Sequence, residues 1–108
     1  AWLMGVAPQD ITLVGQLLGE KIVLNEFFAY QHLGALRDAD AITDERTLAV
    51  TAYALCGFAN FGSIAIIIGG IGSIAPKRRG DLSRMGVQSL IGGTFATMLT
   101  GTVVGFFL

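Results

Sequence analysis

The chain has 108 residues, 53% of them hydrophobic and only 14% charged, where a typical soluble domain carries roughly 25% charged residues. With a mean hydropathy of +0.66, this composition points to the lipid bilayer as the solvent. The formal net charge of -1 leaves no basic face for a nucleic acid, and the single cysteine, Cys56, allows neither an internal disulfide framework nor a cysteine-rich zinc site. Fifteen glycines against two prolines fit helices that approach closely within a membrane.

The opening residues, AWLMGVAPQD, show no Met start, no basic n-region and no small-residue cleavage pattern, so the chain is expected to be a piece of a longer polypeptide. Residues 1–36 contain two apolar arms. Ile11 to Gly19 gives ~14 Å of helix and Ile22 to Leu36 ~22 Å at ~1.5 Å per residue, and neither crosses a bilayer core of about 30 Å. Joined by the polar trio Gly19-Glu20-Lys21, they predict a re-entrant hairpin that returns to the side it entered from. Asp10, with Pro8 just ahead, is placed to cap the first arm.

The second arm carries the most informative side chain. A carboxylate within a membrane costs about 2.5–3.5 kcal/mol on insertion scales, so Glu26 needs a compensating contact: a ligand or ion, or an internal partner near the interface. Asn25 precedes it. Lys21 reads as a structural lysine whose long stem reaches water from the hairpin tip. His32, the only histidine, lies six positions from Glu26 and so on another helical face, which argues against a helical metal pair.

RDADAITDER, residues 37–46, is an acidic outer loop, with Asp44 and Glu45 where a helix N-terminus welcomes negative charge. A charge-free run follows over residues 47–76. Its centre reads CGFANFGS, residues 56–63, where Gly57 and Gly62 bracket Asn60 and weaken the helix. The result is a broken membrane helix, whose freed backbone groups must face protein, a ligand or a water-filled cavity. Asn60 offers donors and an acceptor, to a ligand or to a neighbouring helix, and Ser63 lies on the same side of the continuation. Phe58 either stacks on a flat ligand or fills space. GGIGS at 69–73 lacks the G-K-[ST] ending of a phosphate loop.

Residues 77–84, with Pro76 ahead of them, form a polar loop holding Lys77, Arg78, Arg79 and Arg84, four of the seven basic residues. The positive-inside rule makes it cytoplasmic, with the acidic loop and the C-terminus outside. Residues 85–108 contain no ionisable side chain and are long enough to span. Along them Ser89, Gly93, Thr97, Gly101 and Gly105 recur every fourth position, a small-residue stripe for close helix packing.

These residues resemble one family. GEKIVLNEFFAY, residues 19–30, is similar to the G-x-K-x-x-x-N-E-F-x-A-[YF] signature of the concentrative nucleoside transporters, and ALCGFANFGSIAIIIGG, residues 54–70, looks like their following block. MGVAPQD at 4–10, APKRR at 75–79 and SLIGGTFATMLTG at 89–101 fall in the right order, so the likeness covers essentially the whole chain. Gly62 and Ala65 stand where some relatives carry Ser and Gly.

The resemblance implies an all-α membrane protein, one half of an inverted-repeat transporter, here the second repeat with its re-entrant hairpin, broken helix and final transmembrane helix. It implies symport of nucleosides with sodium or a proton across the cell membrane by a homotrimer, the coupling ion being held mainly outside this segment. Carried over by position, the ribose-binding glutamate matches Glu26, and the broken-helix contacts match Phe58, Asn60 and Ser63, with Asn25 and Lys21 supporting. Two other readings compete: a small membrane assembly subunit whose polar residues only join helices, and a channel. An enzyme is not expected, for want of a positioned nucleophile and base.

Overall fold

The computed structural model describes residues 1–108, and every regular element in it is helical. Short 3-10 turns at Trp2–Met4 and Pro8–Asp10 lead into α1 (Ile11–Val23), followed by α2 (Glu26–Asp38), α3 (Glu45–Leu55) and α4 (Phe61–Ile74). A third 3-10 turn, Pro76–Arg78, opens directly into α5 (Arg79–Phe107).

In α1 the buried residues are Val14, Leu17, Leu18 and Lys21, the i, i+3, i+4, i+7 pattern of a single helical stripe. Helix α3 buries Thr47, Val50, Thr51 and Ala54 at the same spacing, and α2 adds Ala29 and Leu33. With Met4, Val6, Ile42 and Leu55 these stripes form one core between the α1–α2 pair and α3. The stripe holds a lysine, and that lysine moves the turn. Gly19-Glu20-Lys21, expected as the hairpin tip, is helical; the chain reverses instead at Leu24-Asn25, where Asn25 is extended at φ −169° and ψ 175°. Glu20 stays in the helix by accepting from Gln16 Nε2 at 3.0 Å, and Lys21 continues the buried seam rather than leaving it.

Helix α3 ends at Leu55 and α4 begins at Phe61, so the interruption falls at residues 56–60, inside the expected segment. Helix α5 then returns antiparallel along both halves. At one end Arg46 Nε donates to Gly105 O at 3.0 Å; at the other Arg79 Nε donates to Gly72 O at 3.1 Å. The acidic loop and the C-terminus therefore share one end of the molecule, and the basic turn occupies the other.

The small-residue stripe of α5 makes this packing possible. A Cβ on Gly101 would stand 2.7 Å from Val50 O, and one on Gly105 2.7 Å from Val50 Cγ2, both closer than packed atoms tolerate. Two boundaries differ from expectation. The basic stretch 77–84 is not an open loop, because α5 already starts at Arg79, where Asp81 pairs with Arg78 at 2.7 Å and with Arg84 at 3.9 Å. Asp10 does occupy the N-cap position of α1, yet its side chain makes no capping bond, and its Oδ2 is buried without a partner.

One stretch, Pro76–Phe107, is long and apolar enough to cross a membrane. Helix α4 is shorter but is apolar all round: Ile66, Ile67, Ile71 and Ile74 are exposed, and only Ser63 and Gly72 are buried. A helix with no polar face needs lipid or protein on every side.

Candidate functional site

Two helix N-termini meet beside the interruption, and an asparagine caps each. Asn25 Oδ1 accepts from Phe28 N at 3.2 Å and starts α2, which places Glu26 in the first turn. Asn60 Oδ1 accepts from Ser63 N at 2.8 Å and starts α4. Ser63 Oγ in turn accepts from Asn60 N at 3.2 Å and donates to Asn60 O at 2.6 Å, a capping box with serine in the position glutamate usually holds.

The Asn60 amide joins the two ends. With Oδ1 engaged by Ser63 N, Nδ2 is the free donor, and it reaches Glu26 Oε2 at 3.2 Å. The other carboxylate oxygen of Glu26 accepts nothing from the chain. This accounts for an acid at such a place, because the positive ends of two helix dipoles and one amide donor stand around it. The site thus offers an acceptor-only carboxylate with lone pairs to spare, held by a buried amide that is 2% exposed.

Of the residues picked from sequence, Glu26, Asn60 and Ser63 come together, with Asn25 on the turn beside them. The Ser63 hydroxyl hydrogen is committed to Asn60 O, which leaves this side chain only acceptor capacity. Asn25 caps its own helix. Phe58 stands apart: it is 60% exposed and lines a groove of about 230 Å³ between α4 and α5 with Ser63 at its edge, a groove that neither Glu26 nor Asn60 touches. Lys21 does not reach water. It is fully buried, and its ammonium donates to Ala54 O at 3.2 Å and to Thr97 Oγ1 at 2.8 Å.

Two polar contacts had no reading in the sequence. His32 Nδ1 lies 2.9 Å from both carboxylate oxygens of Glu20, and Tyr30 Oη donates to Ala52 O at 2.7 Å. The first would have followed from a turn at 24–25, which brings residues 20 and 32 to facing positions; the polar trio at 19–21 concealed it. No three His, Cys, Asp or Glu side chains gather anywhere in the chain.

Residues 1–105 match the family model described as the Na+ dependent nucleoside transporter C-terminus. The chain belongs to the concentrative nucleoside transporter family. It is 38% identical over its whole length to the putative nucleoside permease NupX of Escherichia coli, covering 26% of that protein. Sodium/nucleoside cotransporter 1 of Rattus norvegicus is 45% identical over 97% of the chain, which covers 18% of the rat protein. Among solved structures, CNTnw in an inward-facing substrate-bound state superposes with a TM-score of 0.93 at 38% identity, over 99% of this chain and 26% of that one. The chain therefore spans about a quarter or less of the length of these relatives. They are membrane transporters and not enzymes, which agrees with the expectation from the sequence.

Proposed function

We propose that the full-length protein is a cation-coupled nucleoside symporter of the cell membrane and that this segment supplies the ribose half of its substrate site. The observation that supports it most is the Glu26–Asn60 bond at 3.2 Å, which sets one spare carboxylate oxygen at the meeting of two helix N-termini. Ribose hydroxyls are donors, a carboxylate is acceptor-only, and hydrogen bonds to a charged group are worth about 1.5–3 kcal/mol. Asn60 orients the carboxylate, and Phe58, which lines the neighbouring groove beyond Ser63, meets only a substrate long enough to extend from Glu26 into that groove. The α1–α2 pair is a re-entrant hairpin, entering from the outer face with the acidic loop; the basic turn is cytoplasmic. The coupling ion, sodium or a proton in its place, binds mainly outside these residues, and the carrier works as a homotrimer whose repeats rock against a scaffold.

The test uses the full-length carrier in detergent. Glu26→Gln should lower ribonucleoside affinity by roughly 10- to 150-fold, the equivalent of about 1.5–3 kcal/mol, with assembly and yield unchanged. If affinity holds while yield and thermal stability fall, the polar residues only join helices and the segment is a structural scaffold. Uphill accumulation in vesicles separates a symporter from a channel, which never exceeds equilibrium.

A further inference from the structure

Lys21 is the one buried cation of the chain. Its side chain is fully buried, and it forms no ion pair: the arginine–carboxylate pairs of the chain join Arg78 and Arg84 to Asp81, and Glu20 contacts His32. An ammonium inside a protein without a carboxylate needs another source of negative potential. Glu26 supplies part of it through space, and the C-terminal end of α3 supplies the contact.

The broken helix creates orphan carbonyls. Where α3 stops at Leu55, the last carbonyls lose their intrahelical partners. Tyr53 O recovers Cys56 N at 3.2 Å, and Leu55 O recovers Gly57 N at 2.8 Å. Ala54 O is satisfied from elsewhere, by Lys21 Nζ at 3.2 Å. The negative end of a helix dipole attracts a cation at this position. The second ligand is polarised to suit it: Thr97 Oγ1 donates its own hydrogen to Thr94 O at 2.9 Å and so turns lone pairs toward Lys21 Nζ at 2.8 Å. Gly57 leaves the room, since a Cβ there would collide with Thr97 Cγ2 and sit 3.6 Å from Nζ.

A free carbonyl at a helix C-terminus and a hydroxyl oxygen, both presenting lone pairs to one enclosed point, form a ligand set for a monovalent cation. We propose that this is a monovalent-cation site occupied permanently by the chain's own ammonium: Lys21 is a tethered cation that clamps the end of α3 to α5 across the helix interruption. It is a positioning residue. By fixing where α3 ends, it fixes where Asn60 starts α4. The proposal does not depend on the nucleoside reading, because its first readout needs no substrate.

The experiment measures thermal unfolding of the full-length carrier without nucleoside. Lys21→Ala removes three methylenes and the ammonium, the shape of n-propylammonium. Its midpoint should fall below wild type, and n-propylammonium chloride should restore most of the loss in a saturable way. Tetramethylammonium, which has the charge but no N–H donor, and n-propanol, which has the shape but no charge, should not. Wild type and Lys21→Met should be indifferent to all three, with Lys21→Met remaining below wild type. An unresponsive Lys21→Ala, or a Lys21→Met with the wild-type midpoint, overturns the proposal. Should Lys21→Ala fail to fold, Thr97→Val against Thr97→Ser decides: the valine variant should be less stable and the serine variant close to wild type, and equal midpoints overturn it.

Discussion

The two asparagine caps, Asn25 and Asn60, look alike in sequence and differ in what surrounds them. Each starts a helix, each accepts from the N–H three residues on, and each sits at a chain reversal or interruption. Asn25 does this at a half-buried turn, with its own helix as the only partner of its amide. Asn60 does it at 2% exposure, with both sides of its amide in use, one on its own helix and one on Glu26. A cap becomes part of a site when burial makes its second hydrogen-bonding side count.

Substitutions can separate the cap from the grip. The largest stability effect is expected from Asn60→Ala, which loses a cap worth about 0.5–2 kcal/mol, toward the upper end because the Ser63 N–H that it satisfies is buried. Denaturant or thermal unfolding of the full-length protein should register it. Asn60→Asp keeps the cap acceptor but sets a second carboxylate against Glu26. It should retain more stability than Asn60→Ala while still losing nucleoside affinity, as titration calorimetry would read; equal stability in the two variants would mean that Asn60 is not acting as a cap. Asn25→Ala should cost only about 1 kcal/mol, the loss of an accessible cap. If Asn25→Ala proved as damaging as Asn60→Ala, the distinction drawn from burial would be wrong.

A third cap supplies the smallest effect and a pH dependence. Asp44, in the acidic loop, caps α3 by accepting from Thr47 Oγ1 at 2.6 Å and Thr47 N at 2.9 Å. The bond from the Thr47 side chain, with the Thr47 backbone N–H second, holds its carboxyl below the usual aspartate range. The native pKa being the lower one, the capped carboxylate favours the folded state above the unfolded value of about 3.9. That contribution disappears as pH falls from there through the native pKa. Asp44→Asn should therefore reduce the drop in thermal midpoint between pH 5 and pH 3 relative to wild type. An identical drop would remove Asp44 from the account.

Much of the architecture was legible because membrane helices declare themselves by length and by small-residue spacing. The α5 stripe predicted close packing, and Gly101 and Gly105 meet Val50 as that spacing requires. The interruption at 56–60 was legible from Gly57 and Asn60. The hairpin turn was not, since a run such as Gly19-Glu20-Lys21 looks the same whether its charges meet water or a buried partner. Lys21 finds its partners 33 and 76 residues away, and no local pattern encodes that distance. The start of α5 was missed for a related reason: four basic residues read as a loop until Asp81 pairs with two of them along a helix. For the site, the resemblance to the transporters picked out Glu26, Asn60 and Ser63. It did not reveal that Ser63 and Asn60 first satisfy each other, or that Phe58 faces a separate groove.

A structure of the full-length carrier with a ribonucleoside bound is the most direct test. The account predicts a Glu26 carboxylate oxygen within hydrogen-bonding distance of a ribose hydroxyl, roughly 2.5–3.0 Å, while Asn60 Nδ2 keeps hold of the other oxygen. A sugar seated away from Glu26, or a Glu26 carboxylate turned toward lipid with the nucleoside in place, would contradict it.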